Sequence, residues 1–194
     1  MDFNEAVVRR RSVRKFKSDL VPAETVKKVL EAGRWAPSAS NLQPWHFIVI
    51  QDVHVKRRIA NVCTEFSKKA WADFDSDMIK YLALRGGTWD KSYMEKVPAL
   101  IAVCYRKAGK VRHELILASA WTAIENMLLA ATTESLGSCI YTFYSKYEEK
   151  EVKTVLNMPA EYRIAAIVQL GYPVAEPPSP YRKNLEEIVS YEHF

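Results

Sequence analysis

Apolar residues recur at a helical spacing in two parts of the chain. Val26, Val29, Leu30 and Gly33 stand at i, i+3, i+4 and i+7, which predicts a helix with one face packed inward. Residues 111–136 give the strongest helix signal, because apolar side chains cover nearly every side of the predicted helix. A helix of that kind needs cover on all sides, and one chain of this size supplies few layers. A partner subunit is therefore a reasonable second cover.

Proline and glycine mark the expected ends of these helices. Pro22 can open the first helix because its missing N–H group is harmless in a first turn. Pro37 disfavours helical geometry at the residue before it and helps to end that helix. Gly137 stands where the C-terminal cap of the second helix belongs. Residues 2–10 are predicted to form a shorter helix, with extended chain after it.

Four short runs of residues are typical of β-strands. The nearly continuous apolar runs at 46–50, 97–105 and 164–170 suit buried strands. The run at 139–144 is rich in β-branched and aromatic residues. Between the first two runs lies a charged region, roughly 55–96, whose helical pattern is patchy. The even spread of apolar residues over 194 positions indicates a single domain.

Composition excludes several classes of protein. The apolar share of 48% and the charged share of 26% are ordinary for a soluble protein. The sequence shows neither a run of about 18 apolar residues nor the apolar segment of a signal peptide, so we expect a cytoplasmic protein without membrane contact. Cys63, Cys104 and Cys139 lie far apart, which leaves neither a disulfide framework nor a CxxC motif, and we expect them to be buried.

The net charge of +5 comes from one local cluster of basic residues. Residues 9–17 contain four arginines and two lysines with no acidic residue, and the rest of the chain is nearly balanced in charge. A nucleic-acid surface usually needs charge spread over several elements, so we expect no nucleic-acid partner and favour a small phosphorylated ligand. A non-catalytic domain that binds nucleic acid or another anionic partner through residues 9–17 is the alternative function.

Two segments carry the chemistry of a binding site. Arg10, Arg11, Ser12 and Arg14 offer guanidinium groups and a hydroxyl, which can bind a phosphate monoester; a solvated basic face is the alternative. The segment APSASNLQPW, residues 36–45, offers the donors and acceptors that a flat ring with carbonyl and imide edges requires. A loop whose polar side chains only satisfy local turns would have a similar composition.

Other motifs that carry chemistry do not occur in the sequence. The four histidines show no HExxH or other metal-ligand spacing, so no metal site is predicted. Neither a GxSxG elbow nor a GxGxxG turn after a strand is present, which argues against a serine hydrolase and against a Rossmann domain. A nicotinamide would therefore have to be a transient visitor to another site.

Five blocks of the sequence together resemble the nitroreductase family of FMN-dependent oxidoreductases. They follow the order of the family across nearly the whole chain and are RRSVRKF (10–16), APSASNLQPWHFIVI (36–50), AWTAIENMLLAATTESLGSC (120–139), LGYP (170–173) and RKNLEEIV (182–189). The resemblance implies an α+β, nitroreductase-like fold with a mixed central β-sheet flanked by helices, found as an intertwined homodimer. Residues 1–194 would form one domain whose tail, about 173–194, extends over the partner subunit.

The resemblance also implies where FMN binds. Four residues would hold its phosphate: Arg10, Arg11, Ser12 and Arg182. Arg14 would approach the ribityl chain or the carbonyl edge of the ring, where positive charge stabilises the reduced flavin. One loop would reach a flavin bound mainly by the other subunit, through Pro37, Ser38, Ala39, Ser40 and Asn41. The backbone of a third segment would lie against the ring, at Ser138, Cys139 and Ile140.

The activity that the resemblance implies is electron transfer from NADH or NADPH, through flavin N5, to a small conjugated acceptor such as a nitroaromatic or a quinone. Both substrates would use one site in turn, which implies ping-pong kinetics, and no side chain is assigned as a catalytic acid. Dehalogenation, dehydrogenation and flavin destruction are the alternatives within the superfamily. We expect residues 60–96 to decide among substrates. The chain departs from the family in two places. Many members have a Lys-x-Arg pair near the end, whereas this chain has Pro180 two residues before Arg182. Residues 140–143 replace a common tryptophan and glycine.

Overall fold

The computed structural model describes residues 1–84, 87–106 and 110–194. Helices and strands mix along the chain, which confirms the α+β class. The helices in these ranges are α1 (Phe3–Arg9), α2 (Ala23–Arg34), α3 (Val53–Ala72), α4 (Ser76–Leu84), α5 (His113–Thr133) and α6 (Lys146–Val155). The strands are β1 (Trp45–Ile50), β2 (Ala99–Arg106), β3 (Gly137–Tyr141) and β4 (Tyr162–Gly171).

The four strands form one sheet in the order β1-β2-β4-β3. Each neighbouring pair runs antiparallel. The expectation of a mixed sheet therefore needs correction for these strands, since the parallel pairing found in the described residues is a single bridge between Ser12 and Ser138. That bridge lies at the β3 edge, where the basic segment 9–17 joins the sheet.

Strand β1 is an edge strand, so the expectation of a buried strand at 46–50 is wrong. His46 is exposed, and Val49 keeps 38% of its surface exposed because β1 pairs with β2 on one side only. Strands β2 and β4 occupy the middle of the sheet and are buried along most of their length. An apolar run predicts a strand, but its place in the sheet depends on strand order, which the run does not encode.

Helix α5 is the central helix and packs against α2 and the sheet. Ala120, Ile124 and Met127 on its inner side are fully buried, whereas Leu115 on its outer side is 42% exposed. The expectation that no segment is apolar enough to span a bilayer needs correction here. By length and composition α5 could cross a membrane, and 44% of its most apolar 18-residue stretch is buried within the chain. A core helix of a soluble protein meets the same criteria.

The end of α5 differs from the sequence prediction, because Gly137 is not its cap. Ser135 takes the left-handed conformation instead, with φ of 60°. The N–H of Leu136 donates to the carbonyl of Ala131 at 2.8 Å, and the N–H of Ser135 donates to that of Thr132 at 3.1 Å. These two bonds close a Schellman motif. Gly137 is thereby left to begin β3, where a neighbouring segment approaches its backbone closely.

The charged region after β1 contains the long helix α3, whose pattern the sequence showed only in part. Ile59, Cys63 and Ser67 line its buried side at a spacing of four residues. Lys56 on the same side is also buried, and its ammonium donates to the carbonyl of Val97 at 2.7 Å. Burial lowers the pKa of this lysine. A buried lysine and a buried serine interrupt the apolar periodicity, which is why the sequence pattern indicated α3 only in part.

The cysteines are buried, as predicted. Burial raises the pKa of Cys104 to about 12 and raises the pKa of Cys63 and Cys139 as well. A thiol with a raised pKa stays protonated and unreactive at neutral pH. These side chains therefore act as small apolar groups.

Candidate functional site

The basic segment is fixed along the first residues of β3. Ser12 forms a parallel bridge with Ser138, and the N–H of Val13 donates to the carbonyl of Ser138 at 2.8 Å. Val13 is buried directly against Gly137, since a Cβ added to that glycine would lie 2.7 Å from the Cβ of Val13. Real Cβ atoms do not tolerate that distance, so a glycine is required for the segment to dock. The structure thus brings two predicted site segments together.

A cavity of about 960 Å³ lies beside this segment. Its walls include all five side chains that were predicted at the phosphate and ribityl end of the cofactor: Arg10, Arg11, Ser12, Arg14 and Arg182. Tyr81 and Leu84 of α4 line the same cavity, together with residues 174–181 of the tail. The volume is within the range of roughly 300–1,000 Å³ that is common for small-molecule sites. Four guanidinium groups around one cavity favour an anionic ligand.

The arginines of the segment have different partners. The Arg10 guanidinium lies 3.6 Å from the carboxylate of Glu125 on α5. Arg11 donates to the hydroxyl of Ser179 at 2.9 Å and to the carbonyls of Val8 and Arg10. Arg14 and Ser12 are exposed at the cavity wall. Arg10 and Arg11 are thus held by other residues of the protein, whereas the side chains of Ser12 and Arg14 are exposed to a ligand in the cavity.

The loop 37–41 is held in an unusual backbone conformation. Ser40, Asn41 and Gln43 have φ of 50°, 53° and 46°, the left-handed region that residues other than glycine rarely adopt. Such residues cost roughly 1–3 kcal/mol each and persist where the surroundings hold them in place, often at binding sites. Here the N–H of Ala39 donates to the Ser119 hydroxyl at 3.0 Å. Thr122 donates to the carbonyl of Pro37 at 2.9 Å.

One face of α5 carries the attachments of both predicted site segments. The loop is bound at Ser119 and Thr122, and the basic segment is paired with Glu125, so the three anchors stand at i, i+3 and i+6. The described residues that line the cavity do not include 37–41. The loop and the cavity are thus two parts of one chain arranged along a shared helix face. That the loop contacts a flavin of another subunit stays a prediction.

Behind β3 lies a buried polar cluster that the sequence did not predict. Lys91 is only 6% exposed, and its ammonium lies 5.9 Å, 5.7 Å and 6.0 Å from the ring centres of Trp71, Tyr141 and Tyr144. Burial lowers the pKa of this lysine. A cation enclosed by aromatic faces is stabilised by the negative potential of the rings. No local pattern in the sequence indicates this cluster, because its residues come from three segments far apart in the chain, around Trp71, Lys91 and Tyr141.

Glu148 of α6 completes this cluster and is fully buried. Its carboxylate accepts hydrogen bonds from the Tyr141 hydroxyl and, at 2.7 Å, from the N–H of Tyr144. The Tyr144 hydroxyl accepts from the indole N–H of Trp71 at 3.0 Å. Burial raises the pKa of Glu148 in spite of these hydrogen bonds. The cluster therefore ties β3 to α3, to α6 and to the segment before β2.

Gln169 of β4 has a buried side-chain oxygen with no hydrogen-bond partner among the described residues. Its amide N–H group faces the Tyr93 hydroxyl at 3.5 Å, and it stands opposite Cys139 in the strand register. A buried acceptor of this kind can take one further hydrogen bond from a donor that enters the site. Among the described residues no group of three or more His, Cys, Asp or Glu side chains is arranged to hold a metal ion.

Comparisons with known proteins point to one family. The model of the nitroreductase family matches residues 7–172. The chain is 32% identical to the iodotyrosine deiodinase of Thermotoga neapolitana, over 96% of this chain and 95% of the relative. It is 28% identical to a putative NAD(P)H nitroreductase of Bacillus subtilis, over 87% and 82%. A crystal structure of oxidized iodotyrosine deiodinase bound to FMN and 3-iodo-L-tyrosine superposes with a TM-score of 0.89 at 30% identity, over 100% of both chains.

Proposed function

The chain belongs to the nitroreductase family, and from that membership we propose that it passes electrons from NADH or NADPH to a small conjugated acceptor with FMN as cofactor. The observation that carries this proposal is the cavity on which Arg10, Ser12, Arg14 and Arg182 converge. Bound FMN would supply the redox chemistry, while the protein supplies binding, orientation and electrostatics. The reductant and the acceptor would use the same site in turn.

The residues of the cavity, of the loop 37–41 and of β4 fit the chemistry of FMN. Guanidinium groups bind a phosphate monoester through paired, charge-assisted hydrogen bonds. Arg14 adds positive charge beside that end, which stabilises negative charge on a reduced cofactor. Ser38 and Asn41 in the loop provide the mixture of donors and acceptors that the polar edge of a flavin needs. The buried oxygen of Gln169 offers one more acceptor beside β3.

A second candidate reaction is the reductive dehalogenation of a halogenated phenol. It is favoured by the likeness to the deiodinase complex with FMN and 3-iodo-L-tyrosine, which spans the full length of both chains. In this reaction the carbon–halogen bond is replaced by a carbon–hydrogen bond, so two electrons and one proton are consumed and a halide ion leaves. The same cavity would serve this reaction, with a phenol in place of the nitroaromatic or quinone.

We further propose that the working form is a homodimer. Many large apolar side chains are exposed in the single chain, among them Phe3, Trp35, Ile188 and Tyr191. Surface of this kind on one chain is typical of protein contacts. A second copy that covers the outer face of α5 would also bring the loop 37–41 toward another cavity. Light scattering coupled to size-exclusion chromatography should give twice the mass of one chain, and a stable monomer would contradict the proposal.

The first experiment tests the cofactor. The purified protein should be yellow, and denaturation should release FMN and not FAD, as chromatography against standards would show. Protein that stays colourless after incubation with FMN would refute the function. A non-enzymatic anion-binding role would then be favoured, particularly if binding of an anionic partner weakened steeply with added salt.

The second experiment separates the two reactions. Flavin bleaching under anaerobic conditions is followed with NADH, NADPH and dithionite, and reoxidation is then followed with a nitroaromatic, a quinone and 3-iodo-L-tyrosine. Bleaching by a nicotinamide and rapid reoxidation by the first two acceptors support the main proposal. Release of iodide and tyrosine by the dithionite-reduced protein, without bleaching by either nicotinamide, favours dehalogenation instead.

A further inference from the structure

The tail runs back along the basic segment in an antiparallel direction. The N–H of Lys17 donates to the carbonyl of Tyr172 at 2.8 Å, and the N–H of Val174 donates to that of Lys15 at 3.1 Å. An antiparallel bridge between Phe16 and Pro173 lies between these two bonds. We call residues 172–182 the strap. Its first three residues are thus fixed by backbone pairing to the segment that carries the predicted phosphate ligands.

Beyond Val174, side chains replace the backbone as the attachment of the strap. Arg9 donates to the carboxylate of Glu176 at 2.8 Å, and Arg11 donates to the hydroxyl of Ser179 at 2.9 Å. The second terminal guanidinium nitrogen of Arg11 donates to the backbone carbonyls of Val8 and Arg10. Both attached strap residues are exposed, and Glu176 keeps 77% of its side chain in solvent. Neither contact belongs to the buried core.

The contacts of Arg9 and Arg11 with the strap lie a few residues before Arg182 and can therefore influence where Arg182 is placed. Three prolines, Pro177, Pro178 and Pro180, restrict the backbone of the strap, so that its direction is nearly set once it is held at two points. Arg182 is the last residue of the strap and lines the same cavity as Arg10 and Ser12. Its guanidinium otherwise donates to the carbonyl of Tyr181 at 3.1 Å.

We propose that Arg9 and Arg11 are positioning residues, which hold the strap through Glu176 and Ser179 and thereby place Arg182 at the phosphate end of the cofactor site. The proposal rests on the proposed function, since it assumes that this cavity takes the phosphate of FMN. It also accounts for the excess of cations in residues 9–17, because part of the cluster binds the protein's own tail and only part is needed for a dianionic phosphate.

The test compares the dissociation constants of FMN and riboflavin, measured by quenching of flavin fluorescence with the full-length protein. Riboflavin lacks the phosphate, so the ratio of the two constants isolates the phosphate contribution. The variants are Arg182→Ala, Glu176→Arg, Arg9→Glu and the exchange Arg9→Glu with Glu176→Arg. Glu134→Arg is the matched control, since Glu134 forms a partly exposed ion pair with Lys28 at 2.8 Å between other elements.

The Glu176→Arg variant separates positioning from simple attraction. It adds positive charge near the phosphate, and through-space attraction alone would strengthen FMN binding. If the contact positions the strap, the preference for FMN over riboflavin should instead fall, by about three- to tenfold, because an ion pair is replaced by repulsion. The exchange variant should recover the wild-type ratio to within about twofold, and Glu134→Arg should leave it unchanged. Arg182→Ala should lower the ratio by about tenfold or more.

Each result is decisive. An unchanged or raised FMN preference in Glu176→Arg, or a reduced preference that the exchange does not restore, overturns the proposal. An unchanged ratio in Arg182→Ala also overturns it, because the strap would then have no phosphate ligand to position. If wild-type protein binds FMN no better than riboflavin, the phosphate site itself fails, and with it the proposed function of the cavity. Faster tryptic cleavage after Arg182 in Arg9→Glu than in wild type is the expected supporting result.

Discussion

Replacing Gly137 by alanine should loosen the basic segment and the cofactor together. A Cβ at this position would lie 2.7 Å from the Cβ and one methyl group of Val13, and 2.8 Å from the other methyl group. Val13 is buried, and the N–H of the same residue is bonded to the carbonyl of Ser138, so the segment cannot move without losing that bond. Relieving the close contact would therefore displace the backbone at Val13, and with it the neighbouring residues Ser12 and Arg14.

The expected magnitude follows from known effects of overpacking. Extra carbon in a packed site costs about 1–3 kcal/mol. For a chain of this length, each kcal/mol lowers the melting temperature by about 2–4 °C. We therefore expect melting about 2–12 °C lower in Gly137→Ala. We also expect FMN affinity about ten- to a hundredfold weaker, since loss of one charged hydrogen bond costs about 1.5–3 kcal/mol.

The assay combines thermal unfolding of the apoprotein with FMN titration well below the melting temperature, so that the folded state alone is titrated. Gly33→Ala is the matched control. Its Cβ would lie 2.8 Å from Cγ of the buried Met127, a close contact among residues that do not line the cavity, and alanine gains about 1 kcal/mol of helix propensity over glycine. Its affinity for FMN should stay at the wild-type value. Adding Val13→Gly to Gly137→Ala removes the colliding atoms and should restore part of the FMN affinity. Wild-type stability and affinity in Gly137→Ala would refute the proposed docking.

Three further changes test other parts of the site. Arg10→Ala combined with Arg14→Ala should weaken FMN binding by about a hundredfold or more, as each charged hydrogen bond contributes about 1.5–3 kcal/mol; unchanged flavin content in the purified variant would reject the site assignment. Ser119→Ala leaves the N–H of Ala39 without its acceptor, so the unfolding free energy in urea titrations should fall by about 1–3 kcal/mol and bound FMN should be lost faster. Wild-type values of both quantities would show that this hydrogen bond does not hold the loop. Burial raises the pKa of Glu148 above its ordinary 4.5, so above that pH the folded protein holds a proton that the unfolded chain releases. The stability of wild type relative to Glu148→Gln should therefore fall as pH rises from about 4.5 through the raised pKa and then level off, and parallel pH profiles from urea unfolding would contradict this.

Local patterns in the sequence predicted most elements, because their signals lie within a few residues. The inward face of α2 and the length of α5 followed from apolar spacing, and the buried runs of β2 and β4 from their composition. The errors arose where the role of a residue or strand depends on neighbours that are distant in sequence. Strand β1 lies at an edge, and Gly137 is a glycine because of Val13 and not because α5 ends there.

The candidate site shows the same division between local and distant information. The resemblance to a family located the basic segment and Arg182, and the structure brings these residues to one cavity. The polar cluster around Lys91 and Glu148 was missed, since its members are ordinary residues until the fold brings them together. The resemblance also assigned Arg11 to the phosphate, which stays a prediction; in the structure its guanidinium donates to the Ser179 hydroxyl.

The antiparallel pairing of residues 15–17 with residues 172–174 has a consequence for biosynthesis. A ribosome adds about 5–20 residues per second, and domains begin to fold from the end that emerges first. The cavity joins Arg10 to Arg182, so its wall is incomplete until residue 182 has been synthesised and has left the ribosome. A nascent chain would therefore have to expose residue 182 before the proposed vitamin-derived coenzyme can bind at full strength. Truncated products should accumulate without colour.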